Sequence, residues 1–347
     1  MGSVAAVIGE VPPVAGAAPR VAVIGAGLAG LSCATALQAA GVVVRVYEKS
    51  RGPAGRMSTR RGDGWQCDHG AQYFTVRDPA FRAEVARWQQ AGVAARWSPR
   101  LAVLGGTGEH DTDPAIERFV GMPRMTAPAA YLAASLAVST GLTIRQLERR
   151  PQGWRLLSAE RGVIDEHYDR VLIGVPAPQA VPLLTGHAPV LAATAASARM
   201  RGCWAMMLRF PTPVELGFDA AFVNAGPIRW IARDRAKPGR AGQETWLIHA
   251  GAEWSDAHLE TDPERVAGIL TDAFARLGGP PPAAWTAHRW RHADTGPPLA
   301  LGCAWSARTG LGLCGDWLNG GRVEGAWTSG RRLAQAVLAS CDGAPVG

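Results

Sequence analysis

The chain has 347 residues, of which 47% are hydrophobic and 19% are charged. This balance provides enough apolar material for a packed interior and excludes an intrinsically disordered chain, and the length predicts two domains or one large one. The net charge of +7 comes from basic residues spread along the chain without a run, which disfavours a nucleic-acid partner. Of the 36 basic side chains, two are lysines, Lys49 and Lys237, so chemistry that needs a lysine amine must use one of these positions.

Neither the cysteines nor the N-terminal region indicates export or membrane insertion. The six cysteines contain no C-x-x-C pair and most lie in apolar segments, which predicts buried free thiols in a reducing, cytoplasmic compartment. Residues 1–19 lack the cationic start of a secretory signal and are interpreted as a disordered leader. Residues 21–44 carry no charge and are long enough to span a membrane, but their pattern of strand, glycine-rich turn, helix and strand excludes a span.

The predicted elements alternate between strand and helix at both ends of the chain. In chain order they begin with a strand at Val21–Ile24, a turn at Gly25–Gly30, a helix at Leu31–Ala40, a strand at Val42–Tyr47, a loop at Ser50–Gly64 and helices at Asp78–Gly92 and about Thr126–Ser139. They continue with a hairpin at Leu142–Leu157, strands at Tyr168–Val175, Cys203–Phe210, Ile228–Ala232 and Thr245–Ala250, a helix at Asp262–Leu277 with Asp262 as N-cap, a strand at Leu311–Cys314 and a helix at about Val323–Ala339. A β-α-β unit at the start, completed by a strand and a helix at the end, predicts a nucleotide-binding domain interrupted by a second domain.

The first turn carries a dinucleotide-binding motif, Gly25-x-Gly27-x-x-Gly30. In this motif the first glycine allows a tight turn, the second lets a diphosphate approach the backbone, and the third lets the helix pack on the strand. The free N–H groups at the helix N-terminus then face the phosphates. Glu48 ends the second strand, where an acceptor for ribose hydroxyls is expected, although this spacing does not distinguish FAD from NAD. The predicted nucleotide contacts are Gly25, Gly27, Leu28, Ala29, Gly30, Glu48 and Lys49.

Four further blocks of sequence carry a resemblance to a known family. They are Gly55-Arg56-Met57-Ser58-Thr59-Arg60, then Asp68-His69-Gly70-Ala71-Gln72-Tyr73-Phe74-Thr75, then His288-Arg289-Trp290-Arg291-His292, and finally Gly315-Asp316-Trp317 with Gly320 to Ala326. From about Val21 to Leu338 the chain resembles the renalase group of FAD-dependent oxidoreductases, within the amine-oxidase-like flavoproteins. The resemblance implies an α/β fold in which a Rossmann-type FAD-binding domain (residues 20–78, 121–185 and 296–341) carries an inserted α+β substrate domain (residues 79–120 and 186–295).

The resemblance also implies which residues hold a non-covalently bound FAD. Arg56 is expected near the FAD phosphates, and Asp316 is expected to accept a hydrogen bond from the ribityl chain. Two glycines before the last helix would let its positive N-terminal end approach the flavin ring. The implied cofactor-binding residues are Gly55, Arg56, Met57, Ile144, Gly315, Asp316, Gly321, Arg322 and Val323. One departure is Ala54, which stands where the family usually has glycine and which we expect to be tolerated if its φ angle is negative.

There are four catalytic candidates on the substrate side. The resemblance implies Trp290, Tyr73 and His249, and the fourth candidate is Arg229. Trp290 would line the cavity opposite the flavin, where an indole suits a flat nicotinamide ring, and Tyr73 would face the same cavity. His249 lies on a strand that matches a cavity-facing strand of the family, but a core histidine is an equal alternative. Arg229 would pair with a substrate phosphate or, alternatively, form a surface salt bridge. No metal site is predicted.

Renalase-like enzymes take hydride from the 2- and 6-dihydro isomers of NAD(P)H onto FAD, release NAD(P)+ and pass the electrons to O2 to form hydrogen peroxide. The resemblance implies this activity. We expect a monomer or a homodimer. Two alternatives stay open: oxidation of an amine or desaturation of a small metabolite, and a non-catalytic flavin-binding role. Amine-oxidising relatives commonly place a lysine, through a water molecule, beside the flavin. Because Lys49 follows Glu48 and Lys237 is predicted in an exposed turn, the lysines favour dihydronicotinamide oxidation.

Overall fold

The structure is a computed structural model that describes residues 18–105 and 115–340, so most of the predicted leader and Cys341 lie outside the described residues. Among these residues the β-strands are, in chain order, β1 Arg20–Ile24, β2 Val43–Glu48, β3 Thr59–Gly62, β4 Trp65–Asp68, β5 Ala94–Trp97, β6 Leu101–Leu104, β7 Arg118–Gly121, β8 Ala137–Thr140, β9 Ile144–Arg150, β10 Gly153–Ser158, β11 Gly162–Tyr168, β12 Arg170–Ile173, β13 Met200–Phe210, β14 Ala220–Val223, β15 Ile228–Arg233, β16 Glu244–Ala250, β17 Ala284–Thr295, β18 Ala304–Ser306 and β19 Leu311–Leu313. The α-helices are α1 Leu28–Ala39, α2 Pro79–Gln90, α3 Ala127–Ala133, α4 Ala177–Leu184, α5 Pro189–Ser197, α6 Ala252–Ala257, α7 Pro263–Arg276 and α8 Val323–Ala339, and two short 3-10 helices cover Asp234–Ala236 and Asp316–Leu318.

The nucleotide-binding half is built on a six-stranded sheet with the order β18-β19-β12-β1-β2-β8. Its strands are parallel except for β18, which is antiparallel to β19 at one edge. Side chains alternate along β1, so Val21 and Val23 pack in one apolar cluster with α1 and α8. Ala22 and Ile24 pack on the other face with the antiparallel sheet β11-β10-β9 and with α4. The sheet is therefore covered on both faces, which explains the uncharged run in the sequence.

A second six-stranded sheet, with the order β17-β13-β16-β15-β14-β6, forms the other half. All of its neighbouring strands are antiparallel except β14 and β6. Along β13, Trp204, Met206 and Leu208 point to the outer face, where they pack in one cluster with α7. Ala205 and Met207 point to the inner face and join the cluster that includes α1 and α8. The inner face of this sheet therefore lies against the nucleotide-binding half.

The helix α7 covers the outer face and begins as the sequence predicts. Asp262 accepts hydrogen bonds from the backbone N–H groups of Glu264 at 2.9 Å and Arg265 at 3.4 Å, and Pro263 occupies the first helical position. Leu270 is fully buried, and burial of such a side chain contributes about 1.5–3 kcal/mol. The outer face of the sheet is therefore closed by α7.

Two of the predicted elements are wrong in detail. The helix predicted at about Thr126–Ser139 ends at Ala133, and Ala137–Thr140 forms β8, which pairs in parallel with β2. The alanine-rich segment favours a helix locally, but pairing with the open edge of β2 overrides this propensity. The predicted loop Ser50–Gly64 contains β3, which pairs with β4 in a two-stranded ribbon. The described residues contain no helix that is both long and apolar enough to cross a membrane.

Candidate active site

The three motif glycines occupy the turn between β1 and α1 and have different neighbours. Gly25 has φ +102°, and a Cβ atom there would lie 2.7 Å from the carbonyl oxygen of Gly174. A Cβ atom on Gly30 would clash with the carbonyl oxygen of Gly25. At Gly27 the nearest atom to such a Cβ is 4.0 Å away. The protein itself therefore requires the first and third glycines, whereas the second leaves open space that suits a closely approaching diphosphate.

The N-terminus of α1 has no side-chain cap among the described residues. Its N-cap is Gly27, which has no capping side chain, and no acidic residue lies in the first turn. The backbone N–H groups of Leu28 and Ala29 therefore stand at the positive end of the helix dipole, without a capping side chain in the described residues. Such an end binds phosphate well.

Glu48 is buried at the end of β2 beside this turn. Its Oε2 atom accepts from the Ala26 N–H at 2.8 Å and its Oε1 atom accepts from the Ser50 N–H at 2.7 Å. Each carboxylate oxygen has a further lone pair, so ribose hydroxyls can still donate to it. Lys49 is exposed and donates to the Gln179 side chain at 3.3 Å. Ile144, another predicted contact, is buried at the start of β9.

Arg56 and Asp316 join the two halves of the predicted cofactor site. The Arg56 guanidinium donates to both carboxylate oxygens of Asp316, one of them at 2.9 Å, and it also donates to the Ala293 carbonyl at 3.3 Å. This paired arrangement holds the planar guanidinium in one orientation. Met57 is buried next to it.

The backbone that presents Arg56 is strained at Ala54. Ala54 has φ +120°, the one positive φ angle of a non-glycine residue in the described part of the chain, and Gly55 follows with φ +54°. The expected tolerance of alanine at position 54 depended on a negative φ angle, and the observed angle is positive. Alanine is held in this conformation by its neighbours: its N–H donates to the Ala26 carbonyl at 3.0 Å, and its carbonyl accepts from the Met57 N–H at 3.0 Å.

The last helix α8 begins directly after two glycines with positive φ angles, Gly320 at +81° and Gly321 at +67°. Arg322 is its N-cap and Val323 its first residue, and no side chain of residues 18–105 or 115–340 caps this end. The one acidic residue of the first turn, Glu324, accepts from the backbone N–H groups of Arg77 and Asp78, so its charge is directed to that loop. Gly315, which precedes Asp316, donates its N–H to Ser329 at 3.0 Å. The open cradle at Gly27, the uncapped helix ends and the Glu48 carboxylate fit the phosphates and ribose of a bound FAD.

On the inner face of the second sheet, Trp290 belongs to a cluster of aromatic rings. The indole N–H of Trp290 donates to the His69 carbonyl at 2.9 Å, and His249 Nε2 lies 3.0 Å from the same oxygen. The His69 ring stacks on Trp290 with centroids 5.1 Å apart. His288 meets both rings edge-on, at 4.9 Å from His69 and 4.4 Å from Trp290. One backbone carbonyl thus fixes the orientation of Trp290 and His249 together.

The three histidines of this cluster are neutral at physiological pH. Burial lowers the pKa of His69 to about 3, with further lowering by His288 and Arg60. Burial lowers the pKa of His249 to about 4, and it lowers the pKa of His288 to about 4 with help from the Arg60 charge. Since a carbonyl oxygen can only accept, His249 carries its hydrogen on Nε2 and presents Nδ1 as an acceptor. The cluster offers flat rings and weak acceptors, but no acid.

The other two catalytic candidates lie differently. Tyr73 packs against Trp230 and Trp97, with ring centroids 5.6 and 6.2 Å away, and Trp230 pairs across the sheet with His249. Tyr73 is thus linked to the cluster through one intervening ring. Arg229 is exposed, and within residues 18–105 and 115–340 it makes no hydrogen bond or ion pair. The structure does not bring Arg229 into contact with the other three.

A buried ion-pair network beside the cluster corrects the prediction for Lys237. Its ammonium donates to Asp68 Oδ2 at 3.2 Å, Gln72 Oε1 at 3.0 Å and Asp234 Oδ1 at 3.2 Å, and its side chain has no exposed area. Arg240 also donates to Asp68 at 2.5 Å. The segment is a turn, as predicted, but Lys237 is buried in it against the end of the β3–β4 ribbon and Gln72. The prediction that Lys237 is exposed is therefore wrong.

The network holds Asp68 as a carboxylate. Burial alone would raise the pKa of Asp68, but Lys237 and Arg240 outweigh it and bring the value to about 2. Burial and the neighbouring Asp68 charge raise the pKa of Asp234. Sequence reasoning missed this network because its members come from segments about 170 residues apart. It also missed His288, although the alternation of Thr286, His288 and Trp290 on one face of β17 was a usable signal.

Two family models match consecutive parts of the chain. An NAD(P)-binding Rossmann-like domain matches residues 23–88, and a flavin containing amine oxidoreductase model matches residues 87–338. The chain belongs to the flavin-containing amine oxidoreductase family. Membership confirms the predicted class of amine-oxidase-like flavoproteins, the two-domain α/β fold and FAD as the cofactor. The family is one of oxidoreductases, in agreement with the predicted enzyme class.

Individual relatives are more distant. Hydroxyneurosporene desaturase from Rubrivivax gelatinosus is 35% identical over 126 residues, which are 30% of this chain and 24% of that protein. A bifunctional protein of tRNA 5-methylaminomethyl-2-thiouridine biosynthesis from Magnetococcus marinus is 29% identical over 47% of this chain and 30% of that protein. The chain therefore matches less than a third of the length of these curated relatives. The structure of cyclohexylamine oxidase from Brevibacterium oxydans shares the fold, with a TM-score of 0.70 and 14% identity over 94% of this chain and 100% of that one.

Proposed function

We propose that this chain is an FAD-dependent oxidase of renalase type that takes hydride from 2- or 6-dihydro-NAD(P) and releases NAD(P)+, with O2 reduced to hydrogen peroxide. The observation that carries the proposal is the composition of the site wall. It consists of an oriented indole, Trp290, and three neutral imidazoles, beside a lysine whose three N–H bonds are all occupied. Such a wall suits a flat substrate that gives up hydride without a base.

Bound FAD supplies a two-electron acceptor that can react with O2. The chain contributes binding and orientation. Trp290 is held by its indole N–H bond to His69, and an aromatic ring packed against it in an offset stack gains about 0.5–1.5 kcal/mol beyond burial. A dihydronicotinamide becomes aromatic when it loses hydride, so stacking and distance supply most of the required catalysis. His249 can accept a hydrogen bond at Nδ1 and remains neutral throughout.

The occupied lysine argues against the amine-oxidising alternative. A lysine that activates water beside the flavin needs a free N–H bond, and Lys237 donates one bond each to Asp68, Gln72 and Asp234. The other lysine, Lys49, is exposed and lies next to the ribose-binding Glu48. The sequence argument from an exposed Lys237 has failed, but the same conclusion follows from its saturated hydrogen bonds.

The proposal includes a cytoplasmic location and a monomer or homodimer. All five cysteines in the described residues are free, and burial raises the pKa of Cys33, Cys67 and Cys203. Protonated buried thiols of this kind suit a reducing compartment.

The test is anaerobic reduction of the flavin in the purified holoprotein. The reduction is measured as the loss of the absorbance of oxidised flavin. We expect 6-dihydro-NAD to bleach the flavin within seconds and amines to leave it unchanged. Bleaching by amines alone would move the assignment to amine oxidation, and no bleaching by either would favour a non-catalytic role. Trp290→Ala should weaken substrate binding about tenfold while FAD stays bound. The matched control is Trp285→Ala, an exposed tryptophan on the same strand, which should behave as wild type.

If Trp290→Ala instead loses FAD, the indole supports the cofactor domain and does not serve as the substrate wall. The ratio of flavin to protein absorbance separates these two outcomes in the same preparation.

A further inference from the structure

A stripe of side chains runs from Trp290 toward the start of β17 and follows the β3–β4 ribbon. At one end, the Arg209 guanidinium lies 4.4 Å from the Trp65 ring centroid and donates to the Thr286 hydroxyl at 3.0 Å. At the other end, the His69 ring stacks on Trp290. The ribbon is therefore fixed alongside β17 at both ends.

Arg60 lies between these two ends. It pairs with Cys67 in the ribbon, so it stands between Trp65 and His69. Residues two apart on a strand share a face, and Ser58, two residues before Arg60, lies 3.4 Å from the His69 ring. On β17 the matching position between Thr286 and Trp290 is His288. Arg60 and His288 are therefore neighbours on the rim of the candidate site.

The charge of Arg60 has no counter-charge in the described part of the chain. Within the described ranges Arg60 forms no ion pair, and its Nε atom is buried without a hydrogen-bond partner. Among the residues that the structure describes, Arg209 likewise has only neutral hydrogen-bond partners, the Thr286 hydroxyl and the Trp285 carbonyl. The nearest carboxylate of the ribbon, Asp68, is engaged by Lys237 and Arg240 on the opposite face. Partial burial of a guanidinium without a carboxylate partner costs free energy unless a bound anion accepts its hydrogen bonds.

We propose that Arg60, backed by Arg209, binds a phosphate group of the substrate whose flat ring stacks on Trp290. This inference rests on the proposed function for the identity of that substrate. Two residues along a strand span about 7 Å, so the phosphate position beside His288 is separated from the ring position beside Trp290 by about the length of a ribose. The Arg60 charge also contributes to the low pKa of both His69 and His288, in agreement with its closeness to them.

The test compares Arg60→Gln with Arg61→Gln in the holoenzyme. Arg61 is the next residue of the same strand, is exposed, and points to the other face of the ribbon, so it is a matched control. Anaerobic flavin reduction is measured against the concentration of 6-dihydro-NAD and of neutral 6-dihydro-N-methylnicotinamide, which has no phosphate. Arg60→Gln should raise the apparent Kd for the dinucleotide roughly tenfold to hundredfold and leave the neutral compound within about twofold. Arg61→Gln should change neither.

An equal effect of Arg60→Gln on both compounds, no effect on either, or loss of FAD would each overturn the assignment. If wild type oxidises neither compound, the proposed function fails while the anion site can still be tested. Calorimetric titration of the holoprotein with inorganic diphosphate should then show binding to wild type and to Arg61→Gln that Arg60→Gln lacks. Equal binding by all three proteins, or binding by none, would overturn the site.

Discussion

Replacement of Lys237 by methionine tests the buried network most directly. Methionine has a similar length and would fill much of the volume, but it removes three hydrogen bonds to Asp68, Gln72 and Asp234. Asp68 would keep its bond to Arg240, whereas the nearest cation to Asp234 would be Arg240 at 3.9 Å. The substitution therefore leaves one buried carboxylate almost uncompensated.

The expected cost is about 3–5 kcal/mol, because removal of one partner from a buried ion pair leaves the other charge desolvated. This is a large part of the roughly 5–15 kcal/mol by which domains are stable. The chain offers a matched control in its other lysine: Lys49 is exposed, so Lys49→Met should change stability by less than about 0.5 kcal/mol. Asp234→Asn combined with Lys237→Met should be at least about 1 kcal/mol more stable than Lys237→Met alone, since the orphaned charge is gone.

The assay is urea unfolding followed by tryptophan fluorescence at a fixed excess of FAD, because bound cofactor adds to apparent stability. Flavin reduction by 6-dihydro-NAD is measured on the same proteins in the absence of urea. If Lys237→Met unfolds within about 1 kcal/mol of wild type and its flavin reduction falls by orders of magnitude, Lys237 is a catalytic group and the network has been misinterpreted.

Two further predictions concern strain and pH. Ala54→Gly should stabilise the protein by about 0.5–1 kcal/mol. Alanine at φ +120° costs about 1–3 kcal/mol, and the greater chain entropy of glycine in the unfolded state offsets part of the gain from removing this strain. A lower thermal midpoint with unchanged FAD content would contradict the prediction. His69, His249 and His288 have pKa values of about 3 to 4 when folded and about 6.5 when unfolded, so the unfolded chain binds more protons between these values. The free energy of unfolding should therefore fall by about 1.4 kcal/mol per pH unit for each histidine as the pH drops from 6 to 4.5, and replacement of His288 by glutamine should remove about a third of that slope in urea titrations.

Elements with local signals were predictable from the sequence. The bounds of α8 agree with the prediction, and the Asp262 cap of α7 forms as expected, because caps and apolar periodicity act within one or two turns. The strand β8 was missed because its short sequence, Ala-Val-Ser-Thr, has no strong strand pattern of its own and is stabilised by pairing with β2. The strand conformation of this segment is therefore set by its tertiary contacts and not by its local sequence.

The cofactor motifs were also accessible from the sequence, because each glycine and carboxylate acts at a fixed distance along the chain. The substrate side was less accessible, since its contacts join segments far apart in sequence. Trp290 was predicted as a site residue from the family resemblance, but the bond that fixes its orientation, to the carbonyl of His69, joins residues 221 positions apart and has no local signal. The structure places the exposed Arg229 away from Trp290, and its predicted pairing with a substrate phosphate stays a prediction. The burial of Lys237 could not be predicted because its segment, rich in Arg, Pro and Gly, is typical of an exposed turn.

Lys237 matters both for the stability of the fold and for the choice between dihydronicotinamide oxidation and amine oxidation. Asp68 precedes His69, the residue whose carbonyl orients Trp290 and His249. We therefore expect Lys237 to position the site by holding Asp68 and, with it, the end of this strand. A positioning role predicts that Lys237→Met weakens dihydronicotinamide binding while the limiting rate of flavin reduction at low temperature changes little. A lysine that took part in amine chemistry would lower the limiting rate itself. The split between apparent Kd and limiting rate therefore decides which role Lys237 has, independently of how much stability the substitution costs.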